Sequence, residues 1–210
     1  MTNPVIENVR HSLGRTTQIP FGSPPPIFPA RQPGSASAEI EHFFGEIKKL
    51  SGVGQRLAPD GMGGALKTLV AEQNIRKAVL WATPRLQFLG LPGYLRAIGV
   101  QLVSANADKH ELAECDLGIT EADFILPETG TLVLRCSAEK PRAVSLLPRV
   151  HLAIINPAAL RADMHQVFAE AKDSHYLVFI TGPSRTADIE LTVTLGVHGP
   201  KNLYVWMMTA

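Results

Sequence analysis

The chain has 210 residues, 45% of them hydrophobic and 19% charged, with a formal net charge of +1 at pH 7. That balance is ordinary for a globular protein and argues against disordered, collagen-like and membrane classes. Basic residues are scattered, the densest stretch being no longer than Arg76-Lys77, which gives nucleic acid no phosphate-tracking surface. Two cysteines, Cys115 and Cys136, are too few for an iron–sulfur cluster held by four thiolates of this chain and fit a reduced, cytoplasmic protein. No apolar run approaches the roughly 18 residues of a membrane span, and the N-terminus lacks the apolar core of a secretory signal.

Taken in chain order, residues 4–13 are expected to form a short helix. Residues 19–34 carry Pro20, Pro24, Pro25, Pro26, Pro29 and Pro33, which propagate neither a helix nor a central strand. Residues 1–37 therefore read as a helix and an extended arm that wraps a neighbouring subunit in a homo-oligomer, lies along its own domain, or is a plain linker. From Ala38 the pattern turns helical: Ile40, Phe43, Phe44, Ile47 and Leu50 cover one face, and Ser51-Gly52-Val53-Gly54 breaks it. A single domain over residues 38–210 begins here.

A second helix is expected over 64–73, then a buried strand at 78–82 closed by Pro84. A helix near 94–98, a strand at 100–103, a helix at 108–114 and a strand at 117–120 follow. Beyond them come strands at 131–134 and 151–155, a helix over 158–171, and strands at 176–180 and 203–207. Short apolar strands alternating with helices predict a three-layer α/β/α fold with a mostly parallel sheet covered on both faces. Residues 130–152 lack a crossover helix, so the sheet is expected to be mixed, with an antiparallel element there.

In open α/β sheets ligands bind outside the carboxyl ends of strands, and two segments fit that position. The first runs from Gly118-Ile119-Thr120 through Glu128-Thr129-Gly130-Thr131. It offers Thr120, Thr129, Gly130 and Thr131 as ligand groups and Glu128 as a nucleophile or proton shuttle, or simply as a turn carboxylate. The second, Thr181-Gly182-Pro183-Ser184-Arg185-Thr186-Ala187-Asp188-Ile189-Glu190, is the better candidate. Gly182 allows a close backbone approach, Ser184 or Thr186 can cap a following helix, and Asp188 and Glu190 complement its positive end. A loop without a ligand has the same features. Arg185 adds a positive fork suited to a carboxylate or phosphate. Asp188 would repel such an anion unless it orients Arg185 or meets a ligand hydroxyl.

The following residues are read as a helix, although Leu191, Val193 and Leu195 also alternate as in a strand. Gly199-Pro200 ends it, with His198 in the last turn as a cap or as a catalytic or ligand-binding group. No metal is expected, because the histidines show no tight ligand spacing; only convergence of His198 with Asp188 and Glu190 in the fold would make a site.

These blocks, with Ala122-Asp123 and Gly196-Val197-His198-Gly199-Pro200, resemble in order the motif series of the LUD-domain family, in its lactate utilisation protein C type, over residues 40–207. The resemblance implies a fold like that of the CoA-transferase, ribose-5-phosphate isomerase and glucosamine-6-phosphate deaminase group, and a part in bacterial oxidation of lactate to pyruvate. It also implies iron–sulfur partner proteins that hold the clusters, and no cofactor in this chain. Three roles follow. One is a non-cluster component that binds an organic acid, with Arg185 gripping the carboxylate. Another is an independent enzyme acting through Glu128 on a CoA ester, a sugar phosphate or a folate-like substrate. The third is a regulatory or assembly subunit that docks a partner through the arm.

Overall fold

The computed structural model describes residues 4–14, 32–187 and 193–209. α1 (Pro4–Ser12) buries no residue and exposes Val5, Ile6 and Val9. α2 (Ala36–Lys49) starts where Ser35 Oγ accepts the Ala38 N–H and Glu39 reaches back to the Gly34 N–H at 2.8 Å, both of which satisfy amide groups at the helix start. It buries Phe43 and Ile47 completely.

The break at Ser51-Gly52 leads straight into β1 (Val53–Leu57), a strand that the glycines had hidden in the sequence. α3 (Met62–Glu72), β2 (Lys77–Leu80), α4 (Pro84–Phe88), α5 (Leu91–Ala97), β3 (Gln101–Val103), α6 (Lys109–Ala113) and β4 (Leu117–Glu121) continue the alternation. Then come β5 (Phe124–Leu126), β6 (Thr131–Cys136), α7 (Ala143–Leu146) and β7 (Val150–Ile155). The expected helix over 158–171 is shorter, because the chain first makes a turn at Pro157–Ala159 and α8 (Met164–Glu170) starts only where Asp163 caps it. β8 (Tyr176–Ile180), β9 (Arg185–Ala187), β10 (Val193–Leu195) and β11 (Asn202–Met208) complete the described chain.

Six strands form one sheet in the order β1-β11-β7-β4-β2-β3, parallel at every pairing. The antiparallel element expected between 130 and 152 forms a separate sheet of order β5-β6-β8. The α/β class with mostly parallel strands thus holds, with the antiparallel part set beside the main sheet. Trp81, Leu95, Leu117, Ile119, Leu152 and Trp206 are among the buried side chains of the main core, and Phe124, Leu126, Val133 and Val167 form a smaller cluster between the second sheet and α8. The basic pair Arg76-Lys77 has a structural use. Its backbone amides donate to Asp116 at 2.8 and 3.0 Å, and Arg149 meets the same carboxylate at 3.1 Å, tying together the starts of β2, β4 and β7.

The helix expected after residue 186 is absent among the described residues. β9 and β10 pair antiparallel, Arg185 opposite Leu195 and Ala187 opposite Val193. Branching at Cβ and the alternation of Val193 and Leu195 favour strand, and that local preference outweighs the glycine and proline that resembled a helix stop. Asp188 and Glu190 lie outside the described residues. No described helix is long and apolar enough to cross a membrane, and among the described residues no group of three or more His, Cys, Asp or Glu side chains assembles as a metal site.

Candidate functional site

β8 ends at Ile180, and the chain leaves it through Thr181-Gly182-Pro183-Ser184. Gly182 adopts a φ of +89°, where glycine is unstrained, and a Cβ on it would stand 3.0 Å from Leu50 Cβ. The turn therefore seats on the C-terminal end of α2. Arg185 completes that seat by donating to the Leu50 carbonyl at 2.6 Å and to Ser51 Oγ at 3.2 Å. A cation on the last carbonyls of a helix meets the negative end of its dipole. Arg185 lines neither of the two cavities described next. Replacing it with alanine is expected to lower stability by about 1 kcal/mol in urea unfolding; an unchanged midpoint would remove its role at α2.

The two sequence blocks around 182–184 and 196–200 meet through their backbones. Ser184 N–H donates to the Pro200 carbonyl at 2.9 Å, and Gly196 N–H donates to the Ser184 carbonyl at 3.0 Å. A Cβ on Gly199 would approach Ser184 Cβ to 3.1 Å, so the closeness of the two loops depends on that glycine. Together with α7, the second residues of β7 and β11, and the end of β8, they wall a cavity of about 190 Å³. Its apolar walls include Leu146, Val178, Ile180 and Leu203, and its polar side chains are Ser145, His151, Thr181, Ser184 and His198.

His151 is the residue that the sequence reading did not single out. It is 1% exposed, its Nε2 is hydrogen-bonded to Thr120 Oγ1 at 2.8 Å, and among the described residues its Nδ1 has no partner. Burial pushes its pKa down to about 3, so the imidazole is neutral at pH 7. Thr120 is itself fully buried and does not line the cavity, whereas His151 does. The available signal was a single polar residue in the otherwise apolar strand Val150–Ile155, which is weak because buried histidines are common structural residues. By contrast, the Cys115 thiol lies in the core with its pKa raised to about 11 by burial, which leaves it unreactive.

A wider cleft, about 500 Å³, shares Phe179 and Thr181 with the first cavity. Here the other sequence block comes together. Thr131 Oγ1 is hydrogen-bonded to Thr129 Oγ1 at 2.7 Å and to Thr181 Oγ1 at 2.8 Å. Glu128, Asp163 and His165 complete the polar lining. Three hydroxyls joined by two bonds leave one O–H that can donate outward. Gly130, at φ +61°, is needed for close approach, since a Cβ would lie 3.0 Å from the Ile47 backbone nitrogen. Among the described residues no Lys or Arg lines the cleft, so the charge of Glu128 and Asp163 opposes a phosphate. Glu128 lines this cleft and Arg185 lines neither cavity. Thr186 lies in β9, opposite Thr194, and the exposed His198 stands at the rim of the smaller cavity.

A sequence profile described as "LUD domain" matches residues 71–208. Lactate utilization protein C of Halalkalibacterium halodurans is 32% identical over 211 residues, covering 93% of this chain and 92% of that protein. The protein of the same name from Shouchella clausii is 35% identical over 65% of this chain and 64% of its own length. Among solved structures, a DUF162 family protein of Deinococcus radiodurans is similar with a TM-score of 0.65 at 21% identity, covering 84% of this chain and all of that one. That likeness extends to the fold.

Proposed function

Because the chain belongs to the LUD-domain family, we propose that it serves lactate utilisation by binding a short organic acid in the cavity walled by His151, Ser145, Ser184 and His198, alongside iron–sulfur partner proteins. The observation that carries this reading is the convergence of two of the family-like sequence blocks, at 182–184 and 198–200, on one small cavity whose walls are mostly apolar. Such sites orient a ligand through a few polar groups while apolar walls hold its carbon skeleton. At about 190 Å³ the cavity suits a molecule of a few heavy atoms and is small for a nucleotide or coenzyme. Ser184 and His198 offer donors for the carboxylate, taking the part that the sequence had suggested for Arg185.

Isothermal titration of the full chain with lactate and pyruvate tests the proposal. Binding that weakens about tenfold in Ser184→Ala, and is unchanged in Arg185→Ala, is the expected result. Absence of binding to the unaltered chain, or equal binding by Ser184→Ala, would reject this cavity as the acid site.

A further inference from the structure

Resting on that reading, we propose that the Thr120–His151 pair is a reversible hydrogen-bond relay that lets one cavity take both a short 2-hydroxy acid and its 2-oxo counterpart.

The geometry supplies each part. His151 belongs to β7 and Thr120 to the adjacent β4, where Gly118 and His151 are register partners. With side chains alternating across a strand, Thr120 stands on the same face as Gly118 and next to the ring. The bond of 2.8 Å between Nε2 and Thr120 Oγ1 involves a hydroxyl, which both donates and accepts. It therefore fits either tautomer of a neutral ring. Among the described residues Nδ1 has no hydrogen-bond partner, and it is buried in a residue that lines the cavity; a group in that state gains from any ligand that completes it.

The two pairings are complementary. When the ligand carries a hydroxyl, its O–H donates to Nδ1, the ring proton resides on Nε2, and Nε2–H donates to Thr120 Oγ1. When the ligand carries a carbonyl, the ring proton resides on Nδ1 and donates to it, while the Thr120 O–H donates to Nε2. The ring holds one proton in both cases, so no net charge enters the apolar site. A fixed donor, such as the ammonium of a lysine, would serve the carbonyl and waste the hydroxyl proton; a carboxylate would do the reverse and repel the acid. A neutral imidazole beside a hydroxyl avoids both penalties.

The test is nitrogen NMR of the full chain labelled with 15N-histidine, titrated with L-lactate and with pyruvate. It needs no variant. The expected result is that His151 Nε2 carries the proton with lactate and Nδ1 carries it with pyruvate. Binding of both acids with the same tautomer would overturn the relay and leave the acid site standing; binding of neither would overturn both. His151→Gln supplies a second readout, because its amide reaches the Nε2 position and keeps the Thr120 bond while deleting Nδ1. Affinity for both acids is expected to fall about tenfold, and unchanged affinity for both would overturn the role of Nδ1.

Discussion

Replacing Gly118 with alanine should destabilise the protein by about 3 kcal/mol, the upper part of the range for forcing extra atoms into a packed core. Gly118 lies in β4 directly beneath α7. A Cβ there would fall well inside van der Waals contact with the Val144 carbonyl oxygen and would reach Pro148 Cγ at 3.0 Å. The first of these is backbone, so relief requires moving α7 rather than turning a side chain. α7 also holds Val144, fully buried, and Ser145 and Leu146, which wall the smaller cavity. Loss of stability and loss of acid affinity are therefore expected together. Gly45 supplies the contrast. It lies exposed in α2, and among the described residues nothing stands within 4 Å of where a Cβ would be, so Gly45→Ala should stabilise by about 0.5–1 kcal/mol through backbone entropy alone. Urea unfolding of the two variants measures both effects; a loss below about 1 kcal/mol for Gly118→Ala would mean that α7 does not pack on β4 as described.

Acidification should weaken the fold before any carboxylate titrates. In the unfolded chain His151 takes up its proton near pH 6.5, whereas burial delays this in the folded chain to about pH 3. Between those values the unfolded state binds more protons, so unfolding becomes easier as pH falls. The stabilisation is complete above the unfolded value and is lost progressively below it. Linkage puts the loss at about 2 kcal/mol between pH 7.5 and 5. Carboxylates contribute at lower pH: Glu46, held down first by its bond to Lys49, and Glu170, held down first by Arg161, both lie below their usual range. In the double variant Thr120→Val with His151→Phe, both hydrogen-bonding partners leave together, which avoids stranding a buried hydroxyl. Its stability should be nearly flat over the same interval. A slope equal to that of the unaltered chain would show that another group is responsible.

Local pattern carried much of the architecture. The apolar spacing of Ile40, Phe43 and Ile47 marks the buried face of α2, and the runs at 78–82, 117–120 and 151–155 are strands of the parallel sheet, because burial on both faces leaves a continuous apolar signature in the sequence. Family membership was legible too, in the ordered blocks at 118–131 and 182–200. Where local signals competed the reading was less secure. The Gly-Pro at 199–200 resembled a helix stop, but the branched residues before it pair as a hairpin. The glycines at 52 and 54 resembled a loop, but β1 pairs there with β11.

What only the tertiary structure decided is which polar groups meet. Arg185 was read as an anion clamp from its neighbours in sequence, yet its guanidinium bonds to Leu50 and Ser51, more than 130 positions away. His151 looked like one residue of a strand, yet it becomes a cavity wall because Thr120 on β4 holds one edge of its ring. The physical reason is common to both. Periodicity and turn chemistry are fixed by interactions within a few residues, so the sequence by itself determined most of the elements with a strong apolar pattern, their buried faces and the family, while β1 and the β9–β10 hairpin took their form from pairing in the fold. Hydrogen-bond partners and cavity walls depend on strand order and on where α2 and α7 come to rest, and those follow from the packing of the whole chain.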